Sequence, residues 1–383
     1  MCHTCGLRFP VLLILSLGVC AYVAVPAAAG QPPAPPSPAR LLTSGEAIFR
    51  SGCAGCHGPH GEGESQTTVG FDKPSTFPDF TDCSSTTPEL DVDWKATITH
   101  GGRGRGFSRI MPAFGETLTP EQIDAVIGYL RGQCRDSAYP RGELNLPRPL
   151  RTEKAFPESE TVFTVGVARR HAPEFDTELG YEQRFTARDQ LEVAVPFASV
   201  HDESGTRATG VGDVALGWKR VLFARRNSIV SGQGEIVLPS GNADRGLGSG
   251  VTTFGAFASV GQILPAASFV QFQIGSDQPT STDEAPRTLF WRAAVGKSFR
   301  EEAGLGRLWS PMFEVVSDHD FVAGAATNID VVPQFQVTLN RRQHVRVNVG
   351  VEIPATHTAG RPKQLVFYAL WDWFDGGLFE GWK

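Results

Sequence analysis

Methionine is scarce in this chain, with three in 383 residues. Met1 is the initiator and Met312 falls in a later predicted strand, so Met111 is the methionine left for a site. The sequence also lacks a basic tract or nucleic-acid motif, and a net charge of −6 favours no particular partner. No serine–histidine–aspartate, paired-carboxylate or phosphate-loop pattern stands out, so the common hydrolytic and nucleotide-dependent chemistries have no support.

Cysteine is also sparse, and three of the seven lie in the first 29 residues. Residues 1–29 predict a secretory signal: Arg8 is their one charged residue, the apolar run 11–25 is short for a membrane span, and 27–29 form an alanine cleavage site. A lipoprotein signal modified at Cys20 is a weaker alternative, because valine is a poor residue in the preceding position. Cleavage after residue 29 would leave four cysteines in an exported chain.

Two of those four lie in Cys53-Ala54-Gly55-Cys56-His57, the C-x-x-C-H arrangement that attaches c-type haem. Each thiol can add to one haem vinyl group, and His57 then offers a ring nitrogen to the iron. A zinc site would need a second ligand pair at matching spacing, and none follows. A redox dithiol would be expected beside a βαβ pattern, whereas this stretch is Gly-rich. The motif therefore predicts one covalent haem c on Cys53 and Cys56, with His57 as an axial ligand.

Met111 is the predicted second axial ligand. It lies in the loop 110–115, which Pro112 stiffens. Methionine usually fills gaps in a core, and His60 and His100 are the competing ligands, although both also read as solvated loop residues. A haem with histidine and methionine ligands has both axial positions filled and a raised potential, which suits electron transfer.

Two helices flank these motifs. One begins near Ser44 and carries Ile48 and Phe49, and another begins at Thr119 with Pro120 and a capping box completed by Gln122. Together with C-x-x-C-H and the Met-Pro loop, this pattern resembles a class I monohaem cytochrome c over residues 41–135, an all-α domain. The resemblance implies His57 and Met111 as the axial pair and Cys53 and Cys56 as the thioether attachments.

Cys83 and Cys134 remain as an even pair in an oxidising compartment, so we expect a disulfide between them. It would close a loop of about fifty residues, for which chain entropy gives a stabilisation of around 4 kcal/mol. Two free buried thiols are the alternative.

Pro-rich segments separate the predicted units. Residues 30–40 read as an extended leader. Residues 136–160 have no period, mark a domain boundary, and are expected to form an ordered linker or strap.

From residue 161 to 383 the sequence alternates apolar and polar residues, as in 345–353 and 190–197. About twelve runs of about ten residues have the length of tilted membrane-spanning strands. The connections are long after most odd-numbered runs and short after most even-numbered ones, which is typical of an antiparallel outer-membrane β-barrel with periplasmic termini. A soluble β-domain would also alternate and is the other interpretation.

This half resembles the outer-membrane barrels of the MetA-pathway of phenol degradation type, on the evidence of 210–217 (GVGDVALG) and 238–241 (LPSG). The whole layout is similar to fused cytochrome–porin iron oxidases. The predicted barrel is smaller than in those proteins and Met111 supplies a sixth ligand, so iron oxidation is not carried over.

Three functions remain open. The first is an outer-membrane electron carrier, which the sequence favours over an enzyme. Its haem domain would lie in the periplasm beside a periplasmic redox protein, and the haem maturation machinery would attach the haem. The second is a small-solute channel with a docking or regulatory haem domain, in which charges such as Glu182, Glu192 and Glu352 set selectivity. The third is a haem enzyme or gas sensor, which requires Met111 not to bind iron. The haem domain would be roughly 35 Å wide, whereas the backbone of the barrel would have a diameter of roughly 24 Å. The haem domain is therefore too wide to enter the barrel and is expected at its mouth.

Overall fold

The structure is a computed structural model that describes residues 42–63, 69–74, 77–169, 173–201, 206–302 and 304–373. The predicted signal, 1–29, and leader, 30–40, lie outside the described residues. A small helical region comes first, and a closed antiparallel barrel of 12 strands follows, which confirms the predicted fold class. Within the described ranges, no helix is both long and apolar enough to cross a membrane.

The described residues of the helical region form five α-helices and one short 3-10 turn, and a second 3-10 turn follows in the segment that leads to the barrel. The helices are α1 (Gly45–Gly52), α2 (Ala54–His57), α3 (Cys83–Thr86), α4 (Asp91–His100) and α5 (Pro120–Arg131), and the turns are Gly102–Arg105 and Gly142–Leu144. Helix α5 begins as predicted, with Pro120 in its first turn and a reciprocal capping box between Thr119 and Gln122. Its apolar face packs on Ile48 and Phe49 of α1, and this contact forms the core of the region.

Helices α1 and α5 approach each other closely at Gly45. A Cβ atom on Gly45 would lie 1.9 Å from the carbonyl oxygen of Ala125 in α5. Next to this crossing the rings of Phe49 and Tyr129 lie with centroids 5.3 Å apart. Glycine is therefore required here by backbone proximity.

We expect Gly45→Ala to lower the free energy of unfolding of the helical region by about 3 kcal/mol, because overpacking against backbone cannot be relieved by a side-chain rotation. Urea titration followed by circular dichroism at the helical minimum measures the loss. The matched control is Gly128→Ala in α5, where a Cβ meets nothing within 4 Å; it should be neutral or slightly stabilising. Equal effects of the two substitutions would contradict the close crossing.

The barrel strands pair with their sequence neighbours around a complete ring. They are β1 (Ser159–Arg169), β2 (Pro173–Arg184), β3 (Asp189–His201), β4 (Arg207–Val211), β5 (Val214–Ala224), β6 (Ser228–Leu238), β7 (Thr253–Leu264), β8 (Ser268–Pro279), β9 (Thr288–Lys297), β10 (Phe299–Glu302), β11 (Leu305–Asp320), β12 (Asn328–Thr338), β13 (Val345–Pro354) and β14 (Gln364–Asp372). Strands β4 and β5 pair with successive parts of β3, and β9 and β10 with successive parts of β11. Each of these two pairs occupies a single strand position, so the 14 strands form a barrel of 12 positions. Strand β1 pairs with β14 and closes the barrel.

Alternation along the strands separates an apolar outer surface from a polar lumen. Large apolar side chains are exposed on the outside, among them Phe163, Leu179, Leu191, Leu216, Phe254, Phe272, Phe313, Phe335, Val349 and Phe367. The opposite register is polar and buried, with Glu182, Gln190, Lys219, Gln233, Ser259, Gln271, Gln273, Glu314, Gln336 and Asn348. This arrangement is the reverse of a soluble domain, in which apolar side chains point inward.

The two ends of the barrel differ. At the near end, where β1 begins, short connections such as 185–188, 225–227 and 265–267 join the strands. At the far end the connections are longer, for example 239–252 and 280–287. The helical region contacts the near end, where Arg184 Nη2 donates to the carbonyl oxygen of Ser84 and Arg188 Nε donates to that of Ala138.

The segment 136–158 is called the strap below. Its first residues contact the helical region, where Glu143 Oε1 accepts from the amide of Asp91 at 3.1 Å, and the rest lies inside the barrel. The carbonyl oxygen of Arg148 accepts hydrogen bonds from Gln336, Asn348 and Tyr368 on three consecutive strands, at 3.3, 3.3 and 2.6 Å. The guanidinium of the same residue pairs with Glu153 at 2.8 Å, with Glu160 at 3.0 Å and with Glu182. The strap is thus bonded to the lumen wall by its backbone and by its charges.

The strap reverses direction within the lumen. At its deepest point Arg151 pairs with Glu352 at 2.6 Å, near the far end of β13. It then returns, because Lys154 Nζ donates to Asn145 Oδ1 and pairs with Glu160 at the start of β1, both at 3.2 Å. The strap therefore enters and leaves through the near end.

Apolar side chains of the strap pack on different sides of the ring. Leu144 and Phe156 form a buried cluster with Val221 and Ile229 of β5 and β6. Leu146 packs with Phe269 and Met312 of β8 and β11. The sequence of the strap has no apolar repeat and predicts none of these contacts. The position of the strap within the lumen is therefore known from the structure and not from the sequence.

Candidate haem site

The two motif cysteines and His57 are brought together by the junction of α1 and α2. The amide of Cys53 donates to the carbonyl of Phe49 at 2.8 Å, which continues the turn of α1. The amide of His57 then donates to the carbonyl of Cys53 at 3.0 Å. Gly58, with φ of 77°, ends α2 in a conformation that favours glycine. This single turn places Cys53, Cys56 and His57 close together, along one wall of a cavity in the helical region.

This cavity has a volume of about 400 Å³. Cys53, Cys56, His57 and Met111 all line the cavity, whereas neither His60 nor His100 is among its lining residues. Most of the remaining wall is apolar and includes Phe49, Phe71, Phe77, Phe80, Trp94, Ile98, Ile110, Phe114, Val126 and Leu130. The structure thus brings together the four predicted haem-binding residues, and it does not bring the two competing histidines to them.

The Met111 loop is held by backbone hydrogen bonds. The carbonyl of Met111 accepts from the amide of Gly102 at 3.1 Å, and the amide of Phe114 donates to the carbonyl of Ile98 at 2.9 Å. Gly101 has φ of 74°, and a Cβ there would lie 2.8 Å from the Met111 carbonyl oxygen. A left-handed glycine therefore permits the close approach that keeps Met111 at the cavity.

The environment of His57 favours a neutral imidazole. Its ring stacks on Phe77 with centroids 5.1 Å apart and lies 5.5 Å from Phe80. Burial, and secondarily the positive charge of Lys73, lower the pKa of His57 to about 4. Its Nδ1 is buried and has no hydrogen-bond partner among the described residues. Neutral imidazole is the form that binds a metal.

The four cysteines of the described region fall into two kinds. Cys83 and Cys134 form a disulfide with their Cα atoms 5.1 Å apart, which joins the predicted pair. Cys53 and Cys56 are thiols at the cavity. Burial, with a smaller contribution from Cys56, raises the pKa of Cys53 to about 11. Two thiols, a neutral imidazole and a thioether around an apolar cavity are a donor set that fits haem c.

The charged residues that line the cavity were not predicted from the sequence; they are Asp79, Asp82, Glu89, Asp93 and Arg105. Of these, Arg105 is only 2% exposed. The sequence gives no signal that separates Arg105 from Arg103 and Arg109 in the same loop, because burial of the arginine depends on contacts with the barrel.

Comparisons with known proteins give a family match in the N-terminal part of the chain. Residues 40–130 match the family described as "Cytochrome C oxidase, cbb3-type, subunit III". No curated protein matches the chain.

Among solved structures, an outer membrane channel from Pseudomonas putida F1 is 14% identical, with a TM-score of 0.42, covering 59% of this chain and 99% of that one. A KdgM porin is 7% identical, with a TM-score of 0.39 and coverages of 56% and 99%. A NanC porin is 7% identical, with a TM-score of 0.41 and coverages of 55% and 98%. The family match and the strand pairing together identify a cytochrome c domain followed by a closed barrel of 12 strands.

Proposed function

We propose that this protein is an outer-membrane-anchored c-type cytochrome that carries electrons at the periplasmic face through a single haem. Cys53 and Cys56 would attach the haem, and His57 and Met111 would bind its iron. The observation that carries the proposal is the convergence of these four residues on one largely apolar cavity. A haem whose axial positions are both filled by protein side chains supplies one-electron transfer rather than chemistry on a small ligand.

The outer surface of the barrel supports the membrane location. Exposed apolar side chains cover the outside of successive strands, and a bilayer is the solvent that accepts such a surface. Short turns at the near end and longer loops at the far end follow the pattern of bacterial barrels, in which the short turns are periplasmic. The haem domain at the near end would then lie in the periplasm, where a redox protein and the haem maturation machinery are its expected partners.

The strap argues for an anchor over a small-solute channel. Glu182 and Glu352, which an open channel could use for selectivity, are paired with Arg148 and Arg151 of the strap. Leu146 fills space against Phe269 and Met312 in the same lumen. The resemblance of the barrel to the MetA-pathway type stays a prediction and adds no substrate.

The test of the proposal is spectroscopy of the purified full-length protein. We expect one covalently bound haem per chain, a reversible one-electron titration, and no binding of carbon monoxide by the reduced protein. Ready binding of carbon monoxide by the wild type would instead favour the enzyme or sensor. Absence of covalent haem after expression with the maturation machinery would refute the proposal, and liposome swelling tests the channel separately.

A further inference from the structure

The haem cavity is held in part by the barrel. Arg105 extends from the helical region toward the near end of the barrel, where its Nη1 donates to the carbonyl oxygen of Gly304 at 3.0 Å. Its Nη2 donates to the carbonyl oxygen of Arg342 at 3.4 Å. Gly304 precedes β11 and Arg342 lies between β12 and β13. A lining residue of the cavity is therefore positioned by two backbone groups of the other domain.

A charged group from the barrel completes this contact. Asp93 of α4 pairs with Arg105 at 3.2 Å through Oδ2, and with Arg300 of β10 at 2.8 Å through Oδ1. The side chains of Asp93, Arg105 and Arg300 are 7%, 2% and 17% exposed, so solvent screens their charges weakly. Two guanidinium groups and one carboxylate give this group of three a net positive charge, beside the carboxylates of Asp79, Asp82 and Glu89 that also line the cavity.

The Nε of Arg105 is a further donor at this contact. This nitrogen is buried and has no hydrogen-bond partner among the described residues. Buried donors in proteins are nearly always paired, so an acceptor is expected beside it. Arg105 lines the cavity, so a group bound in the cavity can supply this acceptor. The carboxylates of a haem are suitable hydrogen-bond acceptors for a guanidinium.

We propose that the barrel rim contributes a positive charge to the haem site through the series Arg300–Asp93–Arg105. Arg105 binds a haem carboxylate, and Arg300 is a positioning residue that holds Asp93 and compensates its charge. The inference rests on the proposed function in one respect, namely that haem occupies this cavity. Its consequence is that the barrel is part of the redox centre, since a positive charge beside a haem favours the reduced state.

The test is a redox titration of the full-length holoprotein with single substitutions. Arg300→Gln removes one positive charge and should shift the haem toward oxidation by roughly tenfold at a fixed ambient potential, as estimated for a unit charge about 10 Å away in a medium of dielectric constant about 20. A tenfold shift corresponds to about 59 mV for a one-electron couple. Asp93→Asn should shift the equilibrium in the opposite direction, and Arg300→Lys should keep the wild-type value.

The matched control is Arg188→Gln. Arg188 also belongs to the near end and donates to the strap carbonyl of Ala138 at 3.2 Å, but it does not line the cavity. Its substitution should leave the potential unchanged. Haem content is measured on every sample, because a wild type without haem refutes the proposed function itself. Wild-type haem content together with an unchanged potential in Arg300→Gln would overturn this inference while the proposed function stands.

Discussion

Met111→Ala is expected to turn a protein whose reduced haem does not bind carbon monoxide into one that binds a single molecule per haem. The substitution removes the thioether from the cavity, and His60 and His100 do not line the cavity to replace it. The potential should fall as well, because a methionine ligand raises it. Difference spectra of the reduced protein with and without carbon monoxide, with a parallel redox titration, measure both effects.

Met312→Ala is the matched control for this experiment. Met312 is 5% exposed and packs with Leu146 and Phe269 inside the barrel, so its removal costs packing but takes no ligand from the haem cavity. Its spectrum and carbon monoxide binding should equal those of the wild type. If Met111→Ala also leaves both unchanged, another residue binds the iron and the assignment of Met111 is wrong.

Arg148→Met is expected to lower the free energy of unfolding by about 3–5 kcal/mol, because removal of one partner leaves buried charges without compensation. Arg148 pairs with Glu153, Glu160 and Glu182, and the side chains of the last two are 0% and 1% exposed. Urea titration of the detergent-solubilised protein, followed by circular dichroism in the β region, measures the loss. Planar-bilayer recordings should show a raised conductance, since the strap loses its principal ionic contact with the wall.

The control for Arg148 is Arg226→Met in the exposed connection between β5 and β6. This substitution also deletes one arginine, but it lies on the surface, so we expect a change within about 0.5 kcal/mol and no change in conductance. A loss below about 1 kcal/mol for Arg148→Met would mean that the ionic contacts do not hold the strap. Unchanged conductance despite a large loss would mean that the apolar contacts alone keep the lumen filled.

The parts of this fold that the sequence predicts are those encoded locally. The C-x-x-C-H motif occupies five consecutive residues, the capping box at Thr119 spans four, and the strands alternate within about ten. The disulfide followed from the number of cysteines left after export. Each of these signals can be read without knowing which distant residues lie nearby.

The contacts that escaped prediction join residues far apart in the chain. Thr152 bonds to Glu314, which lies 162 residues away, and the carbonyl of Arg148 accepts from Asn348 across 200 residues. Arg105 reaches Gly304 across 199 residues. Neither the strap nor the Arg105 loop has a period that would reveal its partners, because an irregular segment takes its conformation from the surface that it meets.

The course of the strap also determines how this molecule can be assembled. Both arms of the strap pass through the same opening, so the chain is not threaded through the ring formed by β1 and β14. The ring can be sealed while the segment is still outside, and the segment can afterwards fold inward as a loop. The bulky haem-bearing end never has to pass through the pore, either during biogenesis or if the loop is withdrawn. Occlusion is topologically reversible, and its persistence depends on noncovalent contacts between the strap and the lumen wall alone.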